Sequence, residues 1–125
     1  MPSYETGVVL IKDSYPVTVA VAEGDVGKLV NVSSGNAIIN TTANGKCIGA
    51  FLEPTATTER AVIAQLATLR LRATGTINKG DLVASNNAGL AIAFTGTGYA
   101  VGIAQSAQAN GWVEVALNVL APTNL

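Results

Sequence analysis

The chain contains no histidine, one cysteine and few aromatic residues, since Phe, Trp and Tyr make up 5% of its 125 residues. The commonest general base and metal-binding side chain is therefore missing. A single cysteine excludes an intrachain disulfide, and no histidine is present to activate a thiol nucleophile. The eight acidic residues show no spacing typical of acid–base catalysis or metal coordination. We therefore predict that the protein is not an enzyme and uses no cofactor or metal.

Charge is also scarce, at 12% charged residues against roughly 25% in an average soluble domain. The net charge is −1, and only Arg70 and Arg72 form a close cationic pair, spaced to share one face of a strand. Nucleic-acid binding normally needs a basic patch, so no nucleic-acid partner is expected. No run approaches the roughly 20 apolar residues of a membrane-spanning helix, and residues 1–5 do not resemble a secretory signal. The sequence thus predicts synthesis in the cytoplasm and no membrane partner.

What the sequence does contain is an internal repeat. Residues 27–64 (the first repeat) and 80–117 (the second repeat) align without a gap at a spacing of 53 (80 − 27). Both begin with Gly-x-Leu-Val, and several later positions match: Gly45 with Gly98, Ile48 with Val101, Gly49 with Gly102, and Val62 with Val115. The repeat predicts a fold made by duplication of one β-rich unit.

The repeat also interprets two features that could be mistaken for chemical sites. Cys47 aligns with Ala100, which predicts a small buried residue and not a nucleophile. The glycines from Gly96 to Gly102 superficially match a dinucleotide-binding loop, but the last comes one residue late and no helical pattern follows. The first repeat has a turn signal at the same place, so a duplicated turn explains both copies.

Turn signals every 8–12 residues separate short apolar runs, as in all-β sandwiches and barrels. We predict a compact single-domain β-barrel or sandwich built from two repeated hairpin-rich units. Residues 1–16 form an extended N-terminal arm that contains a short strand, residues 17–120 form the β-domain, and residues 121–125 form a tail.

Local patterns place the individual strands and turns. Residues 33–36 predict a hairpin turn, and Asn44-Gly45 predicts a type I′ hairpin turn because both residue types accept positive φ. Residues 60–72 are ambiguous, because part of this run could be helical by composition, but their place in the repeat favours two strands or one long bent strand. The other predicted strands are 17–21, 28–32, 37–40, 47–52, 81–85, 90–94, 99–105 and 112–119.

With few aromatic residues in the chain, each becomes a candidate interface anchor. The N-terminal arm, residues 1–16, which we call the leader, mixes aromatic and aliphatic residues ahead of the first repeat. This mixture favours contact with a partner or a neighbouring subunit. Trp112 could serve equally as an interface anchor or as a cap on an open end of the barrel. The candidate contact residues are Tyr4, Val8, Val9, Leu10, Ile11, Tyr15 and Trp112.

Three segments of the second repeat and its approach resemble the cement, or decoration, proteins of tailed-bacteriophage heads. The similarity lies in a Lys-Gly-Asp-apolar-Val strand, a Val-Gly-apolar-Ala strand, and a glycine followed by an alternating final strand. In this chain they span residues 77–83, 100–104 and 111–117, and the first repeat echoes them weakly. The low-charge segment 55–73 departs from the family pattern.

The resemblance implies a structural virion protein on the outer surface of the capsid. Such a protein binds an expanded head, often as a homotrimer, and cements neighbouring subunits of the major capsid protein by multivalent non-covalent contacts. An extended arm could add a strand to a sheet edge of the capsid protein. On this interpretation residues 2–15 are the contact arm, and their removal should leave the barrel folded.

The alternative function is a carbohydrate- or ligand-binding β-domain of a phage fibre or tail accessory protein. Carbohydrate sites usually combine exposed aromatic rings with carboxylates and amides. Trp112 near Asn110 and Glu114 approximates that combination.

Overall fold

The computed structural model describes residues 9–120 and the backbone of the short strand Thr123–Asn124. The predicted all-β class is confirmed, and the described residues contain no helix long and apolar enough to cross a membrane. A short 3₁₀ turn lies at Glu23–Asp25. The strands are β1 Val9–Pro16, β2 Leu29–Ser33, β3 Asn36–Ile39, β4 Gly49–Phe51, β5 Arg60–Arg72, β6 Leu82–Ser85, β7 Ala91–Ala93, β8 Tyr99–Ala100, β9 Gly102–Ala104, β10 Trp112–Asn118 and β11 Thr123–Asn124.

The ambiguous run 60–72 is one long strand, β5, and it connects the two halves of the fold. Leu66 pairs with Ile11 of β1 and with Asn118 of β10, so β1 and β10 lie on opposite edges of β5. Ile63 likewise pairs with both β1 and β4. Strands β4 and β10 therefore follow each other along the same edge of β5.

The duplication predicted from the sequence is visible in the strand order. The main sheet runs β3-β2-β4-β5-β10-β9-β6-β7, with β1 paired to β5 outside this path. Reading inward from either end gives matching strands: β3 with β7, β2 with β6, β4 with β9, and β5 with β10. The pairing of Leu29 with Ala50 recurs, 53 residues later, as that of Leu82 with Ile103.

Alternation along the strands gives each repeat two faces. Face A carries Leu29 and Ala50 in the first repeat and Leu82 and Ile103 in the second. Face B carries, at the next positions, Val30 and Phe51 in the first repeat, and Val83 and Ala104 in the second.

The two faces are buried differently in the two repeats. The larger core cluster joins face A of the first repeat to face B of the second, since it includes Leu29, Ala50, Val83 and Ala104. The smaller cluster covers face B of the first repeat with residues from the 17–21 segment. Face A of the first repeat therefore packs against face B of the second repeat.

Two hairpin predictions had opposite outcomes. The turn at residues 33–36 is confirmed: Ser33 pairs with Asn36, and Ser34 and Gly35 have φ of 50° and 81°, as a type I′ turn requires. The prediction of a hairpin at Asn44-Gly45 was wrong, because β3 and β4 both pair with β2 and do not pair with each other. Asn44 occupies a turn from Thr42 to Gly45, and the chain then crosses from one edge of β2 to the other.

The strand predicted at residues 17–21 was also wrong. Only an isolated bridge joins Val21 to Thr55. Val17 and Val21 are buried, but Val19, which alternation would place on the same face, is 73% exposed. A strand needs a partner edge along its length, and β1 and β4 already occupy both edges of the adjacent part of β5. Strand β4 is likewise limited to Gly49–Phe51 within the predicted 47–52.

The described part of the leader, Val9–Pro16, is a strand paired with β5 along its length. The short strand predicted there therefore exists and is longer than expected. The rest of the leader, including Tyr4 and Val8, and the side chains of the tail lie outside the described residues.

Candidate interaction surface

The side chains that could carry chemistry are dispersed or buried. No group of three or more Cys, Asp or Glu with metal-binding proximity occurs among residues 9–120. Cys47 is 3% exposed, as its alignment with Ala100 predicted, and burial raises its pKa to about 12. A thiol that stays protonated at neutral pH is a poor nucleophile.

The raised pKa of Cys47 leads to a prediction about alkaline stability. The folded state holds the neutral thiol, whereas the unfolded thiol ionises with the ordinary cysteine pKa of 9.0. This contribution to stability is complete below pH 9 and is lost as the pH rises toward 12. By pH 10.5 the loss should be about 2 kcal/mol. Urea unfolding at pH 8 and pH 10.5 should therefore show a steeper decline for the wild type than for Cys47→Ala. An equal decline in the free energy of unfolding for both proteins would contradict this prediction.

Face A of the second repeat presents an exposed apolar row on the outside of the sheet. Leu82 and Ile103 are paired across β6 and β9 and are 41% and 46% exposed. The row continues through Ala116 and Thr68, which are paired in register and half-buried. Phe94 extends it at the other end, where its N–H donates to the Leu82 carbonyl at 2.8 Å. These five residues form an uncharged strip across the sheet, which we call the outer row.

The two positions of the first repeat that match Leu82 and Ile103 are completely covered. Leu29 and Ala50 are both 0% exposed. The Leu29 N–H donates to the Gly89 carbonyl at 2.8 Å, so the β6–β7 loop lies directly against β2. A Cβ on Gly89 would meet Ile39 Cγ2 at 2.7 Å, which shows how closely the loop approaches. Two matching sequence positions thus have opposite environments.

An apolar groove lies on the other side of the molecule, beside face B of the first repeat. Its volume is about 170 Å³, and it opens between the edge strand β3 and the 17–21 segment. Val19, at its rim, is 73% exposed. The one charged residue in its lining, Asp25, is paired with Lys28 at 3.1 Å. The lining residues are Val19, Ala20, Val21, Asp25, Ala37, Ile38, Ile39 and Phe51.

Trp112 lies half-buried on the outer side of the sheet, at the end of β10. The guanidinium carbons of Arg70 and Arg72 stand 4.6 and 4.4 Å from its ring centroid. Arg72 also donates to the Val26 carbonyl at 2.8 Å and to the Glu23 carbonyl at 3.2 Å. Trp112 therefore helps to attach the turn at residues 23–27 to the sheet. This position matches neither of the two roles predicted for Trp112, an interface anchor or a cap on an open end of the barrel, in full.

Trp112, Asn110 and Glu114 do line one shallow depression, as the carbohydrate alternative requires. Sugars bind aromatic residues through the open face of the ring. Here two guanidinium groups lie against the Trp112 ring, where cation–π attraction holds them. The arrangement favours a structural clamp over a sugar-stacking platform.

The leader residues predicted as contacts are placed differently from one another. Leu10 and Ile11 are 67% and 40% exposed, and Ile11 pairs with Leu66 beside the outer row. Val9 packs partly against the larger core cluster, and Tyr15 packs partly against the smaller one.

Sequence analysis missed the outer row, although a signal for it existed. Leu82, Val83 and Ala84 are three consecutive apolar residues, so both faces of β6 are apolar. A strand with two apolar faces is normally covered on both sides. Ala84, on the same face of β6 as Leu82, is 0% exposed, so the exposure of Leu82 marks the part of this face that has no cover among residues 9–120.

The fold, though not the sequence, is similar to that of known proteins. No protein-family model matches the chain, and no curated protein matches it. Among solved structures, the fold is similar to the N base of the head fiber protein gp8.5 of bacteriophage phi29, with a TM-score of 0.65 and 14% sequence identity. The similarity covers 92% of this chain and 97% of that one. At this identity the likeness establishes a shared fold.

Proposed function

We propose that this protein is a structural component of a tailed-phage virion that binds the outer surface of the expanded head. It would cement neighbouring subunits of the major capsid protein through several weak contacts per assembly. The observation that carries the proposal is the fold shared, over nearly the whole length of both chains, with the base of a phage head fiber. The decoration-protein motifs of the second repeat support the same assignment.

The character of the surface agrees with an adhesive role. Charged residues are 12% of the sequence and the net charge is −1. A surface of this kind can approach a large protein lattice without strong repulsion. Exposed apolar side chains such as Leu10, Ile11, Leu82 and Ile103 supply contact area of the kind found at protein interfaces.

The proposal is tested by sedimentation of the protein with heads of the phage that encodes it. We expect the purified protein to co-sediment with expanded heads at a copy number comparable to that of capsid subunits. It should leave unexpanded proheads in the supernatant, because the sites would form only on expansion. Absence from expanded heads at saturating concentration would contradict a head-binding function.

The N-terminal segment gives a second test, which the structure refines. Removal of residues 2–15 would delete most of β1 and expose one edge of β5, so it would not test the leader alone. Removal of residues 2–8 spares β1. We expect this shorter deletion to lower head occupancy at least about tenfold through loss of one anchor per subunit. Its unfolding midpoint should match that of the full chain, and unchanged occupancy would exclude residues 2–8 as the contact arm.

A second candidate function is the base module of a head fibre, which the same structural likeness favours. A base module would join a further fibre segment, whereas a decoration protein needs none. Labelled antibodies against the protein, viewed on virions by electron microscopy, separate the two. Label at the lattice surface supports cement, and label at the root of projecting fibres supports the base. The alternative of a carbohydrate-binding fibre domain has its own test: the protein should bind a glycan array, and Trp112→Ala should abolish that binding.

A further inference from the structure

We propose that copies of this chain associate head to tail, with the outer row of one copy seated in the apolar groove of the next. The outer row, Leu82, Ile103, Ala116, Thr68 and Phe94, belongs to face A of the second repeat. The groove lies beside face B of the first repeat. The inference is independent of capsid binding and concerns contacts between copies only.

The interface inside the molecule provides the precedent. Within one chain, face A of the first repeat packs on face B of the second in a single core cluster, through Leu29, Ala50, Val83 and Ala104. That stacking leaves one face A and one face B without a partner repeat. They are face A of the second repeat and face B of the first. Face B of the first repeat is covered by the 17–21 segment, so a second copy would reach it through the groove beside that segment.

The two surfaces are alike in being mainly apolar. Leu82 and Ile103 are exposed apolar side chains at the centre of the outer row. The groove offers about 170 Å³ lined mainly by aliphatic side chains and Phe51. The outer row carries no charge, and the one carboxylate in the groove is already paired with Lys28 at 3.1 Å. Docking therefore removes apolar surface from water without isolating a charge.

The 17–21 segment closes the groove only in part, which leaves space for a partner. The 17–21 segment reaches the sheet through the Val21–Thr55 bridge, and its middle residue Val19 is 73% exposed. Strand β3 is the terminal strand of the sheet, so its outer edge borders the groove. An apolar side chain from another copy would fill the space that the segment does not close.

An interface of this kind uses two different patches and is therefore heterologous. Repetition of the contact closes a ring when the rotation permits, and three copies would give the trimer implied by the resemblance to decoration proteins. A rotation that does not close would give filaments.

Two single substitutions test the arrangement, one in each patch. Leu82→Glu places a charge on the outer row, and Val19→Glu places one at the groove. Each residue is exposed in the single chain, so folding should be retained, as circular dichroism and the unfolding midpoint would verify. We expect the wild type to assemble in analytical ultracentrifugation. Each variant alone should be monomeric, with the dissociation constant raised at least about a hundredfold by the unpaired charge in the interface.

Mixing the two variants gives the decisive result. The Val19→Glu chain keeps an intact outer row and the Leu82→Glu chain keeps an intact groove, so a mixture should form a one-to-one dimer and nothing larger. Leu120→Glu is the matched control, because Leu120 is an exposed leucine (49%) that belongs to neither patch. It should assemble like the wild type. A monomeric wild type, wild-type assembly of either variant, or a mixture that stays monomeric would each overturn the proposal. Leu82→Ala provides a milder second variant and should weaken assembly without adding charge.

Discussion

Gly49→Ala is expected to lower the free energy of unfolding by about 3–5 kcal/mol, a large fraction of the roughly 5–15 kcal/mol that stabilises an ordinary domain. Gly49 begins β4 with a φ of 151°, in a region that side chains rarely adopt. A Cβ there would also clash with the Ala64 carbonyl oxygen and Ile63 Cγ2 on the neighbouring strand. Both contacts belong to the central strand β5, which cannot move without disturbing three other strands. Urea unfolding followed by tryptophan fluorescence measures the loss.

Two further glycine substitutions separate the causes. Gly102, the matching residue of the second repeat, has no positive φ, but its Cβ would clash with the Ala116 carbonyl oxygen. Gly102→Ala should therefore cost less, about 2–4 kcal/mol, because only the overlap remains. Gly24→Ala is the control, since nothing lies within 4 Å of a Cβ at that exposed position. It should stay within about 0.5 kcal/mol of wild type. A Gly49→Ala variant as stable as Gly24→Ala would refute this account of the glycine.

Asn40→Ala is expected to cost about 2–4 kcal/mol, because it removes a buried hydrogen-bond donor that joins the two repeats. Asn40 is 0% exposed. The two hydrogens of its side-chain N–H₂ group are shared among three acceptors, the Thr42 carbonyl at 2.7 Å, Ser85 Oγ at 2.9 Å and the Asn86 carbonyl at 3.1 Å. Alanine would leave these acceptors buried without that donor. Thermal and urea unfolding of the purified variant measure the effect.

A double-mutant cycle with Ser85→Ala tests whether the network acts as a unit. Ser85 is also 0% exposed and donates to the Asn86 carbonyl at 2.8 Å. The sum of the losses in unfolding free energy of the two single variants should exceed the loss in the double variant by about 1 kcal/mol. Asn36→Ala is the control, because its side chain donates to the nearby Ser34 carbonyl at 3.3 Å in an exposed hydrogen bond. It should change stability by less than about 1 kcal/mol. Strict additivity would show that Asn40 and Ser85 act separately.

Local signals predicted local features well. The two-residue turn at Ser34-Gly35 forms because residues able to adopt positive φ join two strands that pair with each other. Asn44-Gly45 carries an equally strong local signal and forms no hairpin. The difference lies in strand order, since the partner of β4 is β2 and not the strand immediately before it. A turn signal reports backbone preference and contains no information about which strand will be adjacent.

The leader and the 17–21 segment show the same limit. Both have β-branched or aliphatic residues suited to strands, yet only Val9–Pro16 forms one. The free edge of β5 accommodates β1, and no comparable edge remains for residues 17–21. Strand formation depends on a partner as much as on propensity.

The sequence by itself determined the all-β class, the duplication and the burial of Cys47, because periodicity and the alignment of two copies are properties of residue order. Only the tertiary structure decided that β5 serves both halves, and that face A is buried at Leu29 and Ala50 in the first repeat and exposed at the matching Leu82 and Ile103 in the second. Leu29 and Leu82 occupy matching positions, and their exposures are 0% and 41%. Alternation fixes which residues share a face of a strand. Whether that face meets a core or water depends on what the rest of the chain places against it.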